Sequence, residues 1–188
     1  MCKSVKDVEK LIKEINKIHY EFSNDYFGKN NIEPINLSKT ITHVPIDYIL
    51  KYRLNLHESI NDYLINADLS GMDYWYRVKT SESILDKINR FERQGKKYPV
   101  NNWLNDIFGA RIVLETIEIK EVENLLDLWK EKFNLKNWYK RDKDGYKGIH
   151  LYFKNQNNFY FPWELQIWDK KDIKTNVANH IKYKRNFV

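Results

Sequence analysis

Two carboxylates and a row of cations occur in this sequence at spacings that suit phosphoryl-type transfer. In DLSGMDYWYRVKT, Tyr74, Tyr76 and Val78 alternate with Trp75, Arg77 and Lys79. That alternation reads as a strand, so Arg77 and Lys79 share a face. Thr80 or Ser81 then caps a predicted helix, SESILDKINRFERQ, in which Ser83, Lys87 and Arg90 fall at i, i+4 and i+7 on one side. Strand end, turn and helix N-terminus would gather positive charge and free N–H groups, which makes an anion site. The same residues also suit a solvated basic face partnered by Glu82 and Asp86.

Asp106, in NDIFGARIV, precedes a run that reads as a buried strand, with Gly109 allowing close packing and Arg111 reaching back. A carboxylate at a strand edge suits Mg²⁺, because hard cations want oxygen; it also suits a plain turn residue. In FYFPWELQIWDKK, Glu164, Gln166 and Trp168 point to one side of a strand and Leu165 and Ile167 to the other. A carboxylate on so apolar a strand needs a partner. In DGYKGIH, Asp144-Gly145 signals a turn, Tyr146 follows it and His150 lies four residues on. A tyrosine there can stack a base, or be an ordinary strand residue. Taken together, two carboxylates for a metal and cations for phosphate are what phosphoryl-type transfer requires.

The elements that must position these groups are legible in outline. Val5, Val8, Ile12, Ile15 and Phe22 recur at helical spacing, and a second helix is predicted after Pro45 through IDYILKYRLNLHESINDYLINA. A loop, GKKYPVNN, follows the basic helix. IKEVENLLDLWKEKF reads as one amphipathic helix, strands are predicted near YKGIHLYF and FYFPWELQIW, and DIKTNVANHIKYKR closes as a helix.

With 188 residues, 42% of them hydrophobic, the chain can bury a core and suggests one domain with a helical extension. Net charge is +6, which favours phosphate-bearing partners such as nucleotides or nucleic acid. Mean hydropathy is −0.72, no apolar run is long enough to cross a bilayer, and MCKSVKDVEK lacks the apolar stretch of a secretory signal. The single cysteine, Cys2, excludes an intramolecular disulfide framework and fits a reducing, cytoplasmic setting.

RVKTSESILDKINR, NDIFGARIV, DGYKGIHLYF, ELQIW and a closing H-x-x-YK (His180, Tyr183, Lys184) stand in the order found in RelA/SpoT-type synthetase domains. The resemblance runs from about Arg77 to Lys184. It implies an α/β (α+β) fold: a mixed five-stranded sheet flanked by helices, nucleotidyltransferase-like, with N-terminal helices. Residues 1–70 would form that extension and 71–188 the synthetase core. The implied activity is transfer of the β,γ-pyrophosphate of ATP to a ribose 3′-hydroxyl with Mg²⁺. By position, Arg77 and Arg111 would sandwich the adenine, and Lys79, Ser83, Lys87 and Arg90 would hold the ATP phosphates. Asp106 and Glu164 would bind Mg²⁺, Glu164 also serving as base for the attacking hydroxyl. Tyr146 would stack on the acceptor base, His150 would contact the acceptor, and Gln166 would support the site.

Three departures from the family pattern bear on the acceptor. RDKDGY puts Asp142 and Asp144 where PKPNGY has Lys and Asn, with Lys143 and Arg141 as the nearby compensating cations. GYKGIH has Gly148 for Ser, and QIWD has Trp168 and Asp169 for Arg and Thr. A lost Arg and an added Asp weaken binding of a 5′-polyphosphate. The chain therefore resembles the toxic branch, whose members act on the 3′ end of tRNA or make adenosine alarmones. The expected acceptor is tRNA, with GDP or GTP the alternative, and an antitoxin protein the expected partner. Neither DNA nor membrane is implied. Without a His-Asp motif no hydrolase activity is expected. Without the tetramer-forming helices after Lys184, a monomer or different assembly is expected.

Overall fold

The computed structural model describes residues 3–95 and 97–185, with side chains described for 5–95 and 97–179. His180, Tyr183 and Lys184 lie on a described helix, but their side chains are outside the described residues. Two N-terminal helices, α1 (Lys3–Lys29) and α2 (Ile46–Ile65), lead into β1 (Tyr74–Val78), α3 (Ser81–Arg93) and a short α4 (Val100–Trp103). Then come β2 (Phe108–Leu114), α5 (Thr116–Glu123), α6 (Leu126–Lys132), β3 (Leu135–Lys143), β4 (Tyr146–Phe153), β5 (Trp163–Asp169) and α7 (Ile173–Arg185).

The five strands form one mixed sheet in the order β1-β2-β5-β4-β3. Only β2 and β5 run parallel; the other three pairings are antiparallel. The fold class expected from the sequence is thus the one observed.

Residue alternation sorts the sheet into two chemically different faces. Phe108, Ala110, Ile112 and Leu114 on β2, Leu165 and Ile167 on β5, and Ile149, Leu151 and Phe153 on β4 are all buried. They belong to the same apolar cluster as Val8, Ile12 and Ile15 of α1 and Ile49, Tyr52 and Leu56 of α2. The N-terminal helices and the sheet therefore share one continuous core. The registers Arg77↔Gly109, Gly109↔Glu164 and Glu164↔Tyr152 put the polar residues in rows across the opposite face.

Three local readings need correcting. The predicted loop GKKYPVNN contains the start of α4, whose N-cap is Pro99. The single helix predicted over IKEVENLLDLWKEKF is two, because Leu125 N–H bonds to Val122 O, three residues back, and breaks the regular ladder at Asn124. β3 has no counterpart in the predicted elements. It is an outer strand, exposed along most of its length and rich in Lys, Arg and Asp, so the apolar alternation of a half-buried strand is missing.

A two-residue turn, Asp144-Gly145, joins β3 to β4, and both residues have positive φ (54° and 79°). Asp-Gly is the pair that such a hairpin selects. Helix α7 clamps the hairpin: the fully buried Asn176 accepts from Lys147 N–H (2.8 Å) and donates to Lys147 O (2.7 Å).

His19 on α1 lies under β2, its Nδ1 accepting from Asn155 Nδ2 at 3.0 Å. Burial pushes its pKa from 6.5 to about 3. The folded state therefore binds fewer protons than the unfolded state between these values. Its contribution to stability is complete above about pH 6.5 and is lost as the pH falls, by up to about 1.4 kcal/mol per unit. Urea midpoints between pH 7.5 and 4.5 should fall more steeply for the wild type than for His19→Asn. Parallel curves would mean that His19 takes up no proton on unfolding.

Candidate active site

The cleft over the polar face has a volume of about 720 Å³. Its first wall follows from local rules. Lys79 continues the β1 alternation beyond Val78, its N–H bonded to Ile107 O at 2.8 Å. Thr80 caps α3, its hydroxyl accepting from Ser83 N–H at 3.3 Å. With Ile84 and Ile88 of α3 buried in the core, Ser83, Lys87 and Arg90 are left to line the cleft.

Asp106 joins this wall to the sheet. One carboxylate oxygen accepts from Lys79 Nζ at 2.7 Å and the other from Lys87 Nζ at 2.9 Å. Burial alone would raise its pKa, but the charges and hydrogen bonds of Lys87 and Lys79 hold it well below the usual carboxylate range. Lys79 is brought below its ordinary value, chiefly by burial and, more weakly, by Lys87, against the pull of Asp106.

Glu164, 3% exposed, faces a built polar cage. Oε1 accepts from His150 Nδ1 at 2.7 Å and from the Tyr152 hydroxyl at 3.0 Å, and Oε2 from Gln166 Nε2 at 2.8 Å. Arg77 Nη2 is 3.7 Å from Oε2. Burial and nearby Asp106 raise its pKa, but the interactions with His150 and Arg77 outweigh them, so its pKa is lowered.

A chain of hydrogen bonds continues behind His150. Trp168 Nε1 donates to the Tyr146 hydroxyl at 3.0 Å, and that hydroxyl is 2.9 Å from His150 Nε2. An indole N–H can only donate. In the neutral imidazole, the Tyr146 proton then points at Nε2, leaving the His150 proton on Nδ1, where it meets Glu164.

Ten of the twelve residues singled out from the sequence line this cleft: Arg77, Lys79, Ser83, Lys87, Arg90, Asp106, Tyr146, His150, Glu164 and Gln166. Arg111 and Lys143 are not in its wall. The Arg111 guanidinium donates to Gln166 Oε1 (3.1 and 2.9 Å) and lies 3.6 Å from the centre of the Trp168 ring. Lys143 is exposed at the hairpin end of β3. The cleft also contains Tyr139, Arg141 and Tyr152, which sequence reasoning did not assign as site residues. Counting back from the Asp144-Gly145 turn would have found Tyr139, which pairs with His150.

The donor set suits a hard cation: two ionised carboxylates open to one cleft. Among the described residues, no three His, Cys, Asp or Glu side chains cluster to hold a metal by themselves. Phosphate oxygens and water would have to complete the shell, as is usual for Mg²⁺.

Residues 76–187 match the family described as the region found in RelA / SpoT proteins. No curated protein matches the chain. Among solved structures, small alarmone synthetase 1 from Bacillus subtilis bound to its product pppGpp is 22% identical, with 72% of this chain and 74% of that one covered and a TM-score of 0.42. A GTP pyrophosphokinase family protein from Streptococcus pneumoniae is 21% identical, with 74% and 73% covered and a TM-score of 0.43. Small alarmone synthetase 2 from Bacillus subtilis is 22% identical, with 74% and 80% covered and a TM-score of 0.40.

Gly148 and Trp168 are a matched pair. A Cβ on Gly148 would lie 3.1 Å from both Trp168 Cδ1 and the Tyr146 hydroxyl, and those groups are buried and bonded to each other. Gly148→Ala should cost about 1–3 kcal/mol in urea unfolding. In a Trp168→Leu background that cost should shrink by at least about 0.5 kcal/mol. Additive effects would show that the two positions are not coupled.

Proposed function

The chain belongs to the RelA/SpoT family, and on that premise we propose that it transfers the β,γ-pyrophosphate of ATP to a ribose 3′-hydroxyl, with the 3′ end of tRNA as the favoured acceptor. The observation that carries this reading is the ionised, caged Glu164 in one cleft with Lys79, Ser83, Lys87 and Arg90. The acceptor hydroxyl gives its proton to Glu164 while its oxygen attacks the β-phosphorus of ATP. The bond from that phosphorus to the oxygen bridging the α- and β-phosphates breaks, and AMP leaves with the bridging oxygen. Lys79, Lys87, Arg90 and Ser83 hold the phosphates in line for the attack. Arg77, which borders the cleft beside Glu164, lies against the adenosine, and Arg111 keeps its assigned adenine role only if it leaves Trp168. His150 and Gln166 orient Glu164 through the bonds already described.

Asp106 and Glu164 would hold Mg²⁺, which when bound supplies positive charge to the phosphate oxygens. Five cationic and four carboxylate side chains line the cleft, so the protein alone is close to neutral toward a triphosphate. That balance supports a divalent cation as part of the substrate complex.

Two features support a polynucleotide acceptor. Trp168 occupies the position of the family's Arg, and it holds the neighbouring Arg111 by stacking. Asp142, in place of the family's Lys, is 3.2 Å from Lys147. Arg141, which does line the cleft, favours the alternative acceptor, GDP or GTP. A tRNA-directed toxin would be paired with an antitoxin protein.

The test is transfer of label from γ-³²P-ATP with Mg²⁺, offered separately to deacylated tRNA, GDP, GTP and ATP. Label should appear on tRNA. Glu164→Gln should lower the rate by about 10²–10⁴-fold with ATP affinity retained. Label on guanosine nucleotides alone would overturn the acceptor assignment. Absence of label on every acceptor, with ATP bound, would point to an inactive nucleotide- or RNA-binding relative.

In the same assay Lys87→Ala should raise the KM for ATP about tenfold or more while the KM for the acceptor stays within about twofold. An effect confined to the acceptor would place Lys87 on the other side of the reaction.

A further inference from the structure

The two edges of the sheet are built differently. β3 presents Lys140, Arg141, Asp142 and Lys143 along an exposed strand, a common guard against the addition of a further strand. β1 has no such guard. Its sequence, YWYRV, has strong strand preference and no proline or lysine. Its charged residue, Arg77, is turned toward Glu164, 3.7 Å away. Trp75 is 57% exposed and Tyr76 39%. Among the described residues the Trp75 ring has no aromatic or cationic partner. A cavity of about 490 Å³ runs beside the strand, lined by the whole of β1 and by His57, Ile60 and Asn61 of α2.

Pairing with β2 fixes which backbone groups of this edge are free. Lys79 N–H bonds to Ile107 O, and the strands continue in the register Arg77↔Gly109 and Trp75↔Arg111. Antiparallel ladders alternate, so Trp75 and Arg77 direct their N–H and C=O toward β2, while Tyr74, Tyr76 and Val78 direct theirs outward. Among the described residues these outward groups have no hydrogen-bond partner.

We propose that β1 is the interface of a homodimer, in which two copies of the strand pair antiparallel about Tyr76 and join the two sheets into one. The strand is self-complementary in that register. Tyr76 faces its own copy and Tyr74 faces Val78, and each pair exchanges both backbone bonds because all three residues point outward. Trp75 then faces Arg77 of the partner subunit at the intervening position, where opposed side chains approach most closely. A guanidinium over an indole ring is a cation–π pair. Other registers serve the edge less well. Centring on Arg77 opposes two like charges. Centring on Trp75 pairs Val78 with Met72, which lies outside the strand. A second copy is favoured over an unrelated strand because β1 itself supplies both the aromatic that meets Arg77 and the register that the free bonds need.

Tyr76 packs on the core side of the sheet, its ring stacked near Phe108 and its hydroxyl donating to Asn61. The same side of the added strand therefore fills the cavity against α2. The two-fold axis is normal to the sheet, so both clefts open on one side. Glu164 is on the third strand from this edge, which sets the two carboxylates roughly 25 Å apart. Arg77, which borders each cleft, is braced by Trp75 of the partner subunit. The dimer does not depend on the pyrophosphate-transfer reading.

Sedimentation velocity of the full chain over a wide concentration range tests this, with melting temperatures confirming that every variant is folded. The wild type should pass from one chain to two as concentration rises. Trp75→Arg opposes two arginines at both symmetric positions and should raise the dimer Kd about tenfold or more. Trp75→Arg combined with Arg77→Glu restores opposite charges across the axis and should recover the dimer. A wild type that stays monomeric throughout overturns the proposal. So does a dimer that Trp75→Arg leaves intact, because it would lie on another surface. A folded double variant that remains monomeric overturns the register about Tyr76.

Discussion

One buried carboxylate sets the terms for the polar face of the sheet. Glu164 lies on a strand whose neighbours in sequence, Trp163 and Leu165, are in the apolar core. A charge in that position would cost several kcal/mol without partners. His150, Tyr152 and Gln166 supply three hydrogen bonds and Arg77 a nearby positive charge. His150 and Tyr152 come from β4, Arg77 from β1, and Gln166 from β5 itself, two residues away. The sheet register therefore does more than pack strands: a slip of one residue would turn the whole cage toward the core.

The α3 side of the cleft solves a related problem differently. Among the described residues Asp106 is neutralised by Lys79 and Lys87, the two cations that a triphosphate would need, rather than caged by neutral donors. Those lysines are poised in a low-exposure site with their stems packed and their heads already aimed into the cleft. A phosphate ligand would compete with Asp106 for them, and a divalent cation on Asp106 would release them. The two carboxylates thus have different environments, one fixed by hydrogen bonds and one by exchangeable ion pairs.

The hairpin side of the cleft is shaped by two substitutions that act together, Gly148 and Trp168. Gly148 leaves room for the Trp168 ring, Trp168 anchors the Tyr146 hydroxyl, and the same ring attracts Arg111. Read singly, each departs from the family pattern without evident purpose. Read in space, they form one packed unit that ties up the Arg111 guanidinium and the Tyr146 hydroxyl.

Periodicity in the sequence determined the two faces of β1 and β5, and helical spacing determined which side of α3 carries Ser83, Lys87 and Arg90. These are local consequences of backbone geometry. The roles proposed for Asp106 and Glu164 could be read only in company, because an isolated carboxylate looks the same at a turn as at a metal. The outer strand β3 was not legible, since its solvated, charged surface carries no apolar alternation, and with it Tyr139 escaped notice. Nor could the sequence show that Arg111 turns toward Trp168, or that the Tyr146 hydroxyl is spent on two partners. Those outcomes depend on cross-strand neighbours dozens of residues apart, and only the closed sheet brings them within bonding distance.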